Sequence, residues 1–226
     1  MRDEPYRIRR YAARDRRAVR AICFETGSMG SSIAPLYADA ESFADMFTSY
    51  YTDEEPESSW VLERTSDGAI VGYLLGCVDS RRARSPVRIA AKHALGRGLL
   101  FRPGTAGFFG RAVLDILRDG RVERPRIDLE RYPAHLHMNL LAEARHGYGF
   151  KMYEVFETYL RSCGVPGVHC EVGAENARVR ALNARTGFTP FGEAFPALGA
   201  RGPSGERQRV QIMVKSLEAI PTVAVA

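Results

Sequence analysis

Along the chain, hydrophobic and polar positions alternate in some stretches and recur every three to four residues in others. The switch between the two periods lays out the elements. Residues 6–11, YRIRRY, alternate apolar and basic side chains and predict a short strand. Residues 15–25 follow helical spacing, with Val19, Ile22 and Cys23 on one side and Asp15 in the first turn, where a carboxylate suits the helix dipole. A loop rich in Gly and Ser follows at 27–32. Residues 38–51 read as a second helix carrying Phe43, Met46, Phe47 and Tyr50 on one side. SWVLER at 59–64 and IVGYLLGCV at 70–78 read as a hairpin, because Asp67-Gly68 between them is a strong turn signal.

Residues 81–130 differ in character. A basic run leads into two helical stretches, about 87–99 and 106–117, separated by Arg102-Pro103-Gly104. We read this as a helical insertion within one domain spanning 1–226. Strand alternation returns at 134–141, AHLHMNLL, with His135, His137 and Asn139 facing one way and Leu136, Met138 and Leu140 the other. After a glycine-containing turn, a helix at 150–163 carries an apolar stripe through Met152, Val155, Phe156, Tyr159, Leu160 and Cys163. Gly164 ends it and Pro166 prevents its continuation. A strand at 168–172, a short helix at 177–185 closed by Gly187, and strands at 188–191 and 209–217 complete the pattern, with a polar loop at 199–208.

Composition narrows the class. A chain of 226 residues with 45% hydrophobic and 26% charged residues can bury its own core. Its four cysteines form no CxxC pair and have no companion histidines at zinc-ligand spacing, so reduced, mostly buried thiols and no metal site are expected. The charged N-terminal stretch and the lack of any run of about 20 apolar residues predict a cytoplasmic protein without a membrane partner. The net charge of +5 admits an anionic partner. No RRM, KH or helix-turn-helix pattern accompanies it, which sets nucleic acid behind a phosphate-bearing small molecule.

The chemistry concentrates in 134–188. A strand that runs through glycines into a helix N-terminus is an anion site, because backbone N–H groups and the helix dipole both favour negative charge there. Arg145-His146-Gly147-Tyr148-Gly149 occupies that turn. Together with Asn176-Ala-Arg-Val-Arg-Ala-Leu-Asn183-Ala-Arg-Thr-Gly187-Phe188 and the strand 70–76, this order of elements resembles the GNAT (GCN5-related) N-acetyltransferase superfamily. Residues 132–141 and 164–169 are similar to the branch containing the acetyltransferase-like domain of O-GlcNAc hydrolases and its bacterial relatives. The resemblance implies an α/β (α+β) fold with a mixed, mainly antiparallel central sheet flanked by helices. It also implies acetyl-CoA as acyl donor, a main-chain N–H near Leu140 and Leu141 on the thioester carbonyl, and Arg145, His146, Gly147, Tyr148 and Gly149 around the CoA pyrophosphate. Asn176 would touch the pantetheine arm as well as cap its helix. Two departures stand out. Ala144 holds the Gln/Arg position of the turn when the glycines are aligned, and Asn183 replaces the tyrosine often used to protonate the leaving thiolate, leaving Tyr148 as one alternative acid.

For the base that deprotonates the amine, the order of preference is His137, then His135, with Glu171 on the adjacent strand as a further choice. Each has a structural alternative: histidines bonded to neighbouring loops, and a salt bridge from Glu171 to an arginine. The acceptor is a small-molecule or protein amine. A non-catalytic module that binds acyl-CoA or a protein partner is the competing reading. Leu100, Phe101, Phe108 and Phe109 of the insertion either pack onto the domain, line a pocket, or form a contact between two copies.

Overall fold

The computed structural model describes residues 4–83, 86–120, 122–145, 147–202 and 205–217. Seven strands form one sheet in the order β1-β2-β3-β4-β5-β7-β6: β1 (Tyr6–Arg10), β2 (Ser59–Arg64), β3 (Ile70–Cys77), β4 (Ala134–Leu140), β5 (Gly167–Gly173), β6 (Thr189–Arg201) and β7 (Arg207–Ser216). Every neighbouring pair is antiparallel except β4 and β5, which run parallel. The helices are α1 (Arg16–Thr26), α2 (Ala40–Asp53), α3 (Pro86–Gly96), α4 (Ala106–Asp119), α5 (Tyr148–Ser162) and α6 (Ala177–Arg185). The mixed, mainly antiparallel sheet flanked by helices is the architecture expected from the motifs.

Strand alternation sorts the side chains into two cores. Trp60, Leu62 and Leu74 face α5, where they meet Met152, Phe156 and Leu160. Val61, Tyr73 and Leu75 face the other way, onto Val19, Ile22, Cys23 and Phe43 of α1 and α2. The first core is tightest where α5 crosses β3. A β-carbon on Gly76 would lie 2.2 Å from Phe156 Cε2 and 2.5 Å from the Ser58 carbonyl oxygen, and the latter cannot yield without moving the backbone. Gly76→Ala is therefore expected to cost about 1–3 kcal/mol in urea unfolding, through overpacking. An unchanged midpoint would show that α5 can lift away freely.

Two segments depart from the sequence reading. β6 runs to Arg201 and β7 begins at Arg207, so the strands take in both ends of the expected 199–208 loop. The periodic signal was hidden because the β6–β7 pairing shifts register between Phe191 and Phe195 and again between Pro196 and Arg201. Tertiary contact holds this end: Asp115 of α4 accepts from the Gly199 N–H at 3.0 Å and from Arg201 at 2.7 and 2.9 Å, which brings its carboxyl down to about 2. Within the insertion, Phe108 and Phe109 pack edge-on against Tyr37, whereas Phe101 is 89% exposed. The cysteines are all free thiols, buried at 23, 77 and 170 and exposed at 163. Among the described residues no helix is long and apolar enough to cross a membrane.

Candidate active site

The site lies where β4 and β5 part. Their parallel ladder pairs Ala134 with Val168 and His135 with His169. On its other edge β4 pairs with β3 as far as Gly72↔Leu140, and the Leu141 N–H donates to Val71 O at 2.8 Å. Alternate residues of an antiparallel strand bond to the same neighbour. With Leu141, Asn139 and His137 directed at β3, the N–H groups of Met138 and Leu140 point across the gap toward β5. Of the two main-chain donors expected from sequence, only Leu140 faces the gap. Leu141 is spent on the sheet, and Met138 joins Leu140 in its place.

Beyond the gap the chain turns into α5. Gly147 sits at φ +84°, a backbone region that L side chains enter only at a cost, and open space lies above its α-carbon. Among the described residues no side chain caps this end; the Gly147 and Phe150 N–H groups bond to Arg145 O and Gly147 O, which leaves those of Tyr148 and Gly149 for an outside acceptor. Gly149 has a different role. A β-carbon there would lie 3.0 Å from Leu182 Cδ2, so it lets α5 approach α6. Tyr148 packs edge-on to Tyr6 at 5.1 Å beneath the Lys151 ammonium. His146 lies outside the described residues.

Arg145 reaches inward. Its Nε donates to Leu140 O at 3.1 Å and its Nη2 to Gly30 O at 2.8 Å, fastening the turn between α1 and α2 to the end of β4. Met29 of that turn lies against Gly173 at the end of β5. Burial and the nearby Arg178 guanidinium lower the Arg145 pKa. Asn176 caps α6 by accepting from the Val179 N–H at 3.2 Å. Asn183 is turned away from the gap. It is wholly buried, its Oδ1 accepts from Tyr153 OH at 2.7 Å, and its Nδ2 contacts Cys170 Sγ at 3.6 Å. Asn183, expected beside the cofactor at the position of the thiolate-protonating tyrosine, thus has both ends of its amide engaged in the core.

The face of β4 and β5 opposite α5 carries the titratable groups. His137 Nδ1 lies 3.1 Å from Phe47 O, and a carbonyl only accepts, so Nδ1 carries the proton and Nε2 the lone pair. His169 makes the same contact with Tyr132 O at 2.9 Å. Ser80 Oγ donates to Pro133 O at 2.6 Å and therefore accepts from His135 Nδ1 at 2.7 Å. All three imidazoles thus present Nε2 as the basic atom. Aromatic rings hold them in place: Phe47 and Tyr73 flank His137, and Tyr51 and His169 flank His135, with ring centroids 5.5–5.7 Å apart.

Burial takes His137 down to about 4, and burial with the neighbouring His169 and His137 takes His135 down to about 3. Desolvation raises the Glu171 carboxyl against the opposing pull of Arg124, its ion-pair partner. Yet Glu171 is 37% exposed and Phe47 is 37% exposed. Groups hemmed in by protein but still reached by water line a cleft, and α2 supplies the wall opposite β4 and β5. His169, Arg124, Tyr51 and Met138 belong to this site and were not singled out from sequence. His169 was detectable, because it lies two residues before Glu171 on one strand and shares its face. Arg124 comes from an irregular stretch with no periodic signal.

No protein-family model matches the chain. Among solved structures, SsHAT superposes with a TM-score of 0.64 at 25% identity, covering 95% of this chain and 100% of that one. A GNAT superfamily phosphinothricin acetyltransferase from Sinorhizobium meliloti, solved with acetyl-CoA, gives 0.57 at 16% identity over 98% of this chain and 97% of that one. The Salmonella typhimurium protein yncA, solved with its cofactor acetyl-CoA, gives 0.55 at 15% identity over 99% and 100%.

This chain has the GNAT fold. The helices α3 and α4 lie between β3 and β4. Among the described residues no cluster of three or more His, Cys, Asp or Glu is arranged to hold a metal ion.

Proposed function

We propose that the protein is an N-acetyltransferase that moves the acetyl group of acetyl-CoA to an amine bound in the cleft. The observation that carries this reading is the juxtaposition at β4. One side of the strand leaves the Met138 and Leu140 N–H groups facing the gap, while its adjacent face holds the neutral His137. The neighbouring structures solved with acetyl-CoA support the donor. The segments 132–141 and 164–169, which carry the narrower resemblance to the O-GlcNAc hydrolase-associated branch, supply much of β4 and the approach to β5.

In this reading the first turn of α5 receives the pyrophosphate, and the pantetheine arm enters between β4 and β5. The Leu140 N–H polarises the thioester carbonyl and stabilises the oxyanion of the tetrahedral intermediate. The acceptor ammonium sheds its first proton through the wet mouth of the cleft beside Glu171. The amine lone pair then forms the C–N bond. His137 Nε2 takes the second proton from the intermediate's ammonium, which is far more acidic than the free amine and suits a weakly basic imidazole. The C–S bond breaks, and the thiolate leaves and is protonated from solvent. Asn183, locked in the core, takes no part.

Isothermal titration with acetyl-CoA tests the donor site. Saturable binding with Kd between about 1 μM and 1 mM is expected. Gly147→Trp, which fills the open space above the turn, is expected to weaken binding at least about tenfold, the loss of one good charge-assisted contact. Gly149→Trp is unsuitable because it would collide with Leu182. Folded protein that binds no acetyl-CoA at millimolar concentration would remove the transferase reading and leave a GNAT-fold module with another use.

A further inference from the structure

Most buried ion pairs of this protein join elements. Arg9 sits between Asp15 and Glu63, Asp115 grips Arg201 and Arg207 across α4, β6 and β7, and Glu157 ties α5 to Lys215 of β7. The pair in the cleft is different. Glu171 projects from β5, and Arg124 comes from the stretch between α4 and β4 to place its guanidinium on that carboxylate. Their side chains are 37% and 53% exposed, and neither makes another hydrogen bond or ion pair among the described residues. The pair stands beside the neutral His135 and His169, whose pKa values the Arg124 charge helps to lower, and near Tyr51, whose hydroxyl feels the Glu171 charge. An open ion pair of this kind is cheap to part.

We propose that Arg124 and Glu171 receive the acceptor as a zwitterion, its carboxylate on Arg124 and its ammonium on Glu171, so that the preferred acceptors are α-amino acids with apolar side chains. This deepens the transferase reading of the same cleft and rests on it. The reasoning is one of partners. A plain amine meets only the Glu171 half of the pair, competes there with the Arg124 guanidinium and gives Arg124 nothing in return. An amino acid replaces both halves of the pair at once, and a bidentate guanidinium–carboxylate contact also fixes its orientation. Phe47 and Tyr51 on the α2 wall, and Phe195, whose ring centre lies 5.7 Å from the Arg124 guanidinium, offer apolar surface to the side chain. With the ammonium held at Glu171, the nitrogen that attacks lies on the face that carries His137.

The test compares matched pairs: L-phenylalanine with phenethylamine, L-tryptophan with tryptamine, and L-leucine with isoamylamine. Two readouts are used, release of free CoA thiol from acetyl-CoA and thermal-shift binding to protein saturated with CoA. At least a tenfold preference for the amino acid in each pair is expected in both readouts. Arg124→Gln is expected to bring each pair within threefold, and Glu171→Gln to weaken binding of both members. If the amines equal or exceed the amino acids, or if Arg124→Gln leaves the preference intact, the proposal is overturned. Selective binding without thiol release would uphold the zwitterion site and count against the transferase reading. Thiol release with the amines alone would do the reverse.

Discussion

His137→Ala is expected to lower kcat for acetyl transfer by about 10²–10⁴-fold, the usual contribution of a positioned general base, while the Kd for acetyl-CoA changes by less than about threefold. The two parameters separate because His137 lies on the α2 face of β4, whereas the proposed donor site is made of the main-chain groups at the edge of that strand and the first turn of α5. The pH profile is the sharper readout. The wild-type imidazole is held at about 4 by burial, so it is neutral throughout the neutral range. No rate limb near 6.5 is expected. The rise of kcat/KM with pH should instead follow deprotonation of the acceptor and move when a less basic amine is used. His135→Ala is expected to have a smaller effect, because its Nδ1 is tied to Ser80 at the closed end of the cleft, where β4 and β5 still pair. A His137→Ala enzyme that keeps more than about a tenth of wild-type kcat would assign the base elsewhere, with Glu171 next in line.

The second large effect is on stability. His135 and His137 have folded pKa values of about 3 and about 4, below the ordinary 6.5. As pH falls from 6.5, the unfolded chain binds protons that the folded chain refuses. Stability is therefore full above 6.5 and is lost as pH falls from there toward 4. Sealed from water, each ring would account for about 3–5 kcal/mol. Water reaches both, and screening reduces the pair to about 3–4 kcal/mol in total. Thermal unfolding at pH 7.5 and pH 4.5 should show a fall in Tm of roughly 6–15 °C for a domain of this size, and His135→Gln with His137→Gln should remove most of that fall. The window matters, because Asp115 at about 2 titrates below it. An equal fall in the double variant would place the acid sensitivity at His169, whose pKa burial also lowers, or among the carboxylates.

Legibility tracked how local the determining interactions are. The 177–185 helix was bounded to the residue, because Asn176 caps it through its own third residue. The hairpin of β2 and β3 was equally plain, because Asp67 and Gly68 close it within four residues. β6 was underestimated because its partner β7 and α4 hold it, and its own alternation is broken by two register shifts. In the site, His135, His137 and Glu171 could be listed from alternation alone. Their protonation could not, since the carbonyls of Phe47, Pro133 and Tyr132 that decide it are distant in sequence or set by the turn of the chain.

The amino-acid sequence by itself determined the order of elements, the glycine turn before α5 and the polar face of β4, because period, turn chemistry and side-chain alternation act over a few neighbouring residues. The tertiary structure alone decided what those groups can do. It turned Asn183 into the core, bound the Leu141 N–H to β3 while leaving Leu140 facing the gap, and brought Arg124 across 47 positions of sequence to Glu171. Direction of an N–H, desolvation of an imidazole and the meeting of two charges are set by whatever packs on the far side, and that partner is chosen by the fold.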